Sequence, residues 1–165
     1  MASHCKITPV PNRLGKLLRK PGGIAREQAL QAATENVETL REEFVGAIPG
    51  EIAALEAILA AGGRKITAES LDAMLRRADQ LLTLSGTYGF DRLDTVVKRF
   101  CDLASGMIDK HIEDLAPVSV HLRAMRLVCP GAAEVSETEV DHILTGLALV
   151  HTHYGITRGQ DTQMD

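Results

Sequence analysis

The chain has 165 residues, a length that fits one domain and allows a substantial core to be buried without disulfides or structural metals. Apolar residues make up 45% of the sequence but aromatic residues only 3%, so the core is expected to consist of aliphatic side chains. Much of the apolar content is Ala and Leu, which favour helices, so the composition predicts an all-α protein. The net charge of −4 argues against a nucleic-acid-binding domain.

Cysteine usage and hydropathy predict a cytoplasmic location. Cys5, Cys101 and Cys129 are an odd number at unrelated spacings, so neither a disulfide framework nor a CxxC metal pattern is indicated. No continuous apolar run approaches the 18 or more residues that a membrane span requires, and no signal peptide is visible. We therefore expect no membrane insertion.

A basic arm occupies residues 1–23. Its first 20 residues contain five basic side chains and no acidic one, and Pro21-Gly22-Gly23 ends it. The arm is either a solvated leader or a contact for an acidic partner surface. In the second case four side chains are expected to make the contact: Arg13, Lys16, Arg19 and Lys20.

Residues 24–155 are predicted to form a single helical domain that begins with a long helix from about Ile24 to Ala61. Apolar residues at spacings of three and four define its stripe: Leu30, Ala33, Val37, Leu40, Phe44, Ile48, Ile52, Leu55 and Leu59. Pro49 lies within this pattern, and proline removes a backbone hydrogen bond from a helix. The stripe therefore predicts either one kinked helix or two helices that meet there.

Two further helices follow. Thr67 is expected to cap the second, and Asp91 the third. The apolar pattern of the third helix extends as far as Pro117.

The last two helices complete the predicted bundle. One runs from Val118 to Val128, and Ser136 with Glu139 forms a capping box that opens the other, which ends near Gly155. Short connections make consecutive helices antiparallel, which predicts an up-and-down helical bundle. Residues 156–165 are expected to be a polar tail.

The histidines do not predict a metal site. His151 and His153 are two residues apart and would point about 200° apart on a helix, so we expect them to be frayed or on the surface. His111 and His121 have no partners at ligand spacing. Because phosphate-binding loops, nucleophile elbows and HExxH motifs are also missing, the sequence predicts no enzyme and no cofactor.

One segment, Ala78 to Phe90, resembles the central hairpin of histidine-containing phosphotransfer (HPt) domains, in which the pattern A-H-x-L-K-G-x-A-G-x-F-G-F recurs. The matching positions are Ala78, Leu81, Ser85, Gly86, Tyr88, Gly89 and Phe90. Asp79 stands in place of the phosphorylated histidine, Leu82 in place of lysine and Thr83 in place of glycine. The resemblance therefore implies an HPt-like fold that has lost its chemistry, the alternative being an ordinary hairpin with a Gly-rich turn.

The resemblance also implies a docking face. In phosphotransfer domains the helix that carries the histidine lies against a receiver domain. Carried over to this chain, that geometry predicts an exposed partner-binding stripe of five side chains at spacings of three and four: Arg76, Asp79, Gln80, Thr83 and Thr87.

Over nearly its whole length the chain resembles alphaproteobacterial chemotaxis accessory proteins of the CheE type. The resemblance lies in four segments: Asn12–Leu14 with Pro21–Gly23, Asn36–Glu38, Tyr88–Phe90 and Val120–Leu127. It implies a non-catalytic adaptor in two-component signalling, with a receiver domain or a chemotaxis kinase component as partner.

Two alternatives remain. The segment His142 to Ala148 fits H-x-L-x-G-x-A, which would make His142 the site of an active phosphotransfer protein, although the motif lacks its lysine. The second alternative is a structural module that forms a homodimer through the long stripe.

Overall fold

The computed structural model describes residues 15, 24–132 and 135–156. Within the last two ranges it contains five helices and no strand: α1 Arg26–Ala61, α2 Ala68–Thr87, α3 Asp91–Asp109, α4 Leu115–Val128 and α5 Glu137–His153. The chain is thus an all-α helical bundle with a long N-terminal helix, as its composition and periodicity predict.

The chain divides into two compact units, Met1–Thr39 and Leu40–Asp165. The described part of the first unit is mainly the beginning of α1. Its apolar side chains are exposed, with Leu30 58% and Val37 55% accessible. Two of the hydrogen bonds there run along the helix itself, from the hydroxyl of Thr34 to the carbonyl of Leu30 and from the amide of Gln31 to the carboxylate of Glu35.

In the second unit, α1 contributes one buried edge to the core. Phe44, Ile48, Ile52 and Leu55 recur at spacings of four, four and three and are all buried. Pro49 is exposed within the same uninterrupted helix. The packed side chains on both sides of it offset the lost backbone hydrogen bond, so α1 is one helix and not two.

Helix α1 is also long and apolar enough to cross a membrane. An 18-residue window in it has a mean hydropathy of 1.6, and 22% of that window is buried. Buried helices of soluble bundles can meet the same criteria of length and composition, so the location of the chain stays a prediction.

Helices α2 and α3 form the centre of the second unit. Thr67 caps α2 as predicted, because its hydroxyl accepts from the backbone N–H of Ser70. The prediction that Asp91 caps α3 is wrong, because Asp91 is the first helical residue. The N-cap position is occupied by Phe90, which makes no side-chain capping hydrogen bond. An acid in the first turn still interacts favourably with the helix dipole.

The link between α3 and α4 lies earlier than the sequence predicts. Helix α3 ends at Asp109, and His111 has a left-handed backbone with φ of 54°. Asp114 then caps α4 by accepting from the N–H of Ala116, and Pro117 lies in its first turn. Proline is tolerated there because the first N–H groups of a helix have no intrahelical acceptor.

Helix α5 opens with the predicted capping box. The Ser136 hydroxyl accepts from the N–H of Glu139, whose carboxylate accepts from the N–H of Ser136. Only three side chains of α5 are buried: Val140, Leu147 and His151. Ile156 follows the helix and is also buried, and it packs on Gly106 of α3.

Candidate functional site

The hairpin of α2 and α3 positions the predicted docking face. A tight turn joins the helices, in which Gly89 has φ of +72° and the N–H of Phe90 donates to the carbonyl of Ser85. Only glycine adopts that backbone conformation without strain. The ring of Phe44 stacks on Tyr88 at 5.6 Å between centroids and lies 6.0 Å from Phe90, so the turn packs on α1.

The positions that match the HPt pattern have structural roles. Ala78, Leu81 and Ser85 are buried. The Ser85 hydroxyl lies 3.0 Å from the carbonyl oxygen of Leu82 and 3.3 Å from Oδ1 of Asp94. A Cβ on Gly86 would lie 3.3 Å from that same Oδ1, so a small residue suits this close approach.

The predicted docking residues all lie on the surface. Arg76, Asp79, Gln80, Thr83 and Thr87 are exposed along α2. The hydroxyls of Thr83 and Thr87 donate to the backbone carbonyls four residues before them, and Arg76 pairs with Asp72. These contacts stay within α2, which leaves the outer edges of the side chains facing solvent.

Asp79 is an exposed carboxylate close to α3. Burial, with further contributions from Asp79 and Asp102, raises the pKa of the Cys101 thiol to about 12. Cys101 is therefore a thiol at neutral pH and not a nucleophilic thiolate. Among the described residues, no group of three or more His, Cys, Asp and Glu side chains could hold a metal ion, and an aspartyl-phosphate site requires such a group for magnesium.

His142 is exposed in the first half of α5. Gly146 lies one turn later on the same side of the helix, and no heavy atom lies within 4 Å of where its Cβ would be. Packing therefore does not explain a glycine at this position, which costs a helix about 0.8–1.0 kcal/mol relative to alanine. The surface beside His142 is open.

The structure also contains a buried histidine pair that the sequence does not predict. His121 is fully buried and His151 is 6% exposed, so the expectation that His151 is frayed or on the surface is wrong. Their Nε2 atoms are 3.2 Å apart, and Nδ1 of His121 lies 2.8 Å from the carbonyl oxygen of Pro117. Helical spacing could not show this contact, because 30 residues separate the two histidines.

Beside the hairpin turn lies a cleft of about 690 Å³. Its lining comes from the start of α3, the end of α4 and the connection that follows α4. Arg92 lines the cleft, and its guanidinium binds the carbonyl of Val135 and the carboxylate of Glu137. That cation therefore ties α3 to the start of α5.

The four basic arm residues Arg13, Lys16, Arg19 and Lys20 lie outside the described residues. Their predicted contact with an acidic partner stays a prediction.

Comparisons of the chain with protein-family models, with curated proteins and with solved structures gave no match.

Proposed function

We propose that this chain is a non-catalytic cytoplasmic adaptor of two-component chemotaxis signalling, and that the exposed face of α2 docks a receiver domain. One observation carries the proposal: the chain keeps the HPt-like pattern where side chains build the hairpin and departs from it mainly where side chains face a partner. Ala78, Leu81 and Ser85 are buried, whereas Asp79 and Thr83 are exposed.

The departures suit binding better than chemistry. A carboxylate at Asp79 lacks the imidazole nitrogen that a phosphohistidine needs, and Leu82 supplies no cation to offset phosphoryl charge. The hairpin that presents these positions is nevertheless packed through Phe44 and Ser85. An intact scaffold with altered surface chemistry is what an adaptor derived from a phosphotransfer domain would retain.

The docking face is tested by charge reversal. Asp79→Arg and Arg76→Glu should each change the Kd for the receiver domains of the same organism's chemotaxis response regulators by about two- to fivefold, since exposed charge pairs contribute roughly 0.2–1 kcal/mol. Isothermal titration calorimetry measures this change. Asp109→Arg, an exposed reversal in the last turn of α3, is the matched control. If all three variants bound the receiver domain with the Kd of the wild-type chain, α2 would not be the docking surface.

The lost chemistry is tested by restoring it. Asp79→His alone should accept little phosphate, because Leu82 and Thr83 still differ from the phosphotransfer pattern. The triple variant Asp79→His, Leu82→Lys, Thr83→Gly should accept label from a phosphorylated receiver domain, and the same triple with glutamine at position 79 is the control. An unlabelled but folded triple variant would count against derivation from a phosphotransfer domain.

The basic arm is proposed to strengthen the same complex. Removing residues 1–20 should leave the helical circular dichroism spectrum unchanged and weaken receiver binding modestly, most clearly at low salt. Receiver affinity that is indifferent to the truncation would identify the arm as an inert leader.

One observation favours a second candidate, an active phosphotransfer protein using His142. The imidazole is exposed and Gly146 leaves open space one turn away. Acid-labile label from a phosphorylated receiver that disappears in His142→Ala but persists in His153→Ala would support this function. Without such label, His142 is a surface residue only.

The exposed apolar residues of α1 favour a third candidate, self-association into a homodimer. Leu30, Val37 and Leu40 are each more than half accessible. Light scattering on the full chain and on the double variant Leu30→Ser with Val37→Ser tests this candidate. A dimer that is lost in the double variant would support it, whereas a dimer that persists would not use these residues.

A further inference from the structure

An open apolar groove, the α4–α5 groove, lies between the beginning of α4 and the end of α5. Its volume is about 330 Å³. Val120 and Leu149 line it and are 43% and 65% exposed, and Ala116, Val150 and Tyr154 also contribute to the lining. Exposed apolar side chains that are scattered singly need no explanation, but these adjoin one concave surface. The groove therefore has the form of a binding site for another apolar surface.

The surroundings of the groove are basic. Helix α4 contains two arginines and no acidic residue, and the second half of α5, residues 146–153, contains no acidic residue either. Arg126 pairs with Glu56, whereas Arg123 is exposed three residues after Val120 on the same side of α4. Asp114, just before α4, already accepts hydrogen bonds from Tyr154 and the backbone of α4. An apolar helix face with acidic neighbours would complement this surface.

Helix α1 has an exposed stripe of that kind, formed by Leu30, Val37 and Leu40. The spacings of seven and three residues place these side chains on one side of the helix, and each is more than half exposed. From Arg26 to Glu43 the helix contains five glutamates and two arginines, which gives a net charge of −3. Amphipathic helices bind apolar grooves through anchors at such helical spacings.

The charges favour the groove over a second stripe as the partner of the stripe. Two stripes packed on each other would bring two segments with a charge of −3 together, and the groove would stay open. A stripe in the groove brings acidic side chains towards Arg123 and covers both apolar surfaces at once.

We propose that the exposed stripe of α1 from one copy of the chain binds the α4–α5 groove of a second copy. In a closed dimer each copy donates its stripe and receives that of its partner, so the same contact forms twice. The inference rests on the self-association candidate above and names the surface that receives the stripe. It does not involve the exposed face of α2, so it is independent of receiver docking.

Light scattering over a range of protein concentrations tests the contact. The wild-type chain should reach twice the mass of a single chain. The groove variant, Val120→Ser with Leu149→Ser, should raise the dimer Kd by about tenfold or more, as should the stripe variant, Leu30→Ser with Val37→Ser. Leu127→Ser, an exposed change on α4 outside the groove, is the matched control and should leave the Kd unchanged.

The outcomes separate this inference from self-association in general. A groove variant that dimerises like the wild type, beside a monomeric stripe variant, would overturn the groove contact and leave self-association through the stripe standing. A wild-type chain that stays monomeric at about 1 mM would overturn both.

Mixing the two variants gives the sharpest test. Each variant alone has a defect in both contacts of its dimer, whereas a mixed dimer pairs the intact stripe of the groove variant with the intact groove of the stripe variant. One of the two contacts is thereby restored. Sedimentation with one variant fluorescently labelled should show a mixed dimer that is tighter than either variant's own dimer. A mixture no tighter than its components would overturn the proposal.

A measurement on the wild type covers the case in which a variant does not fold. The methyl resonances of Val120 and Leu149 should shift together with those of Leu30 and Val37 as the protein concentration passes through the dimer Kd, while those of Leu127 stay in place. Dimerisation that shifts the stripe methyls and leaves the two groove residues unchanged would overturn the proposal.

Discussion

Substituting Gly106 by alanine should destabilise the protein, although glycine within a helix normally costs stability. A methyl group on this residue of α3 would lie 2.7 Å from Cγ2, 2.9 Å from Cγ1 and 3.3 Å from Cβ of Ile156. Because Cβ itself is so close, rotation of the side chain cannot relieve the contact, and the backbone at Ile156 must move. Ile156 is only 6% exposed, so moving it returns apolar surface to water.

The magnitude follows from two opposing terms. Alanine gains about 0.8–1.0 kcal/mol over glycine in a helix. Displacing a buried isoleucine costs about 1.5–3 kcal/mol. Gly106→Ala should therefore lower the free energy of unfolding by about 0.5–2 kcal/mol, measured by urea denaturation monitored by circular dichroism.

Gly46→Ala is the matched control. Gly46 lies in α1 with no heavy atom within 4 Å of a Cβ, so alanine there should raise stability by about 0.8–1.0 kcal/mol. The variant Gly106→Ala with Ile156→Ala adds a double-mutant cycle, in which the two losses should combine to less than their sum. If Gly106→Ala stabilised the protein as much as Gly46→Ala, Ile156 would not pack on α3 and the reasoning would be refuted.

Three further predictions concern the core, a cap and a thiol. Ile48→Ala should cost about 2–5 kcal/mol of unfolding free energy in urea, since Ile48 is fully buried, and a loss under 1 kcal/mol would place it outside the core. Ser136→Ala removes the hydroxyl of the capping box and should cost about 1 kcal/mol in the same assay, whereas no change would mean that α5 begins elsewhere. Cys101 is partly buried with its pKa raised to about 12, so it should resist iodoacetamide at pH 8 in the native protein and react in urea, as followed by mass spectrometry; rapid native alkylation would contradict the raised pKa.

Periodicity predicted the helices well but not which of their faces are buried against other elements. The stripe of α1 has the same spacing on both sides of Leu40, yet Leu30 and Val37 are exposed whereas Ile48 and Ile52 are buried. A repeat of three and four shows only that side chains share one face of a helix. Whether another element covers that face depends on contacts between distant parts of the chain.

Prolines were ambiguous for a related reason. Pro49 lies inside α1 and Pro117 in the first turn of α4, although both residues could equally have ended a helix. Proline is compatible with a helix wherever its missing N–H is not needed or packing compensates for it. The caps at Thr67 and Ser136 were predictable because the hydrogen bonds they make are local in sequence.

The site shows the same limit. The exposure of Asp79 and Thr83 was predicted from the resemblance to phosphotransfer domains, whose geometry at helical spacing places these positions on one outer face of α2. The His121–His151 contact joins two helices across 30 residues, and neither histidine has a local signal for burial. Both rings occupy positions where an aliphatic residue would complete the core, so a polar pair there is informative only once the packing is known.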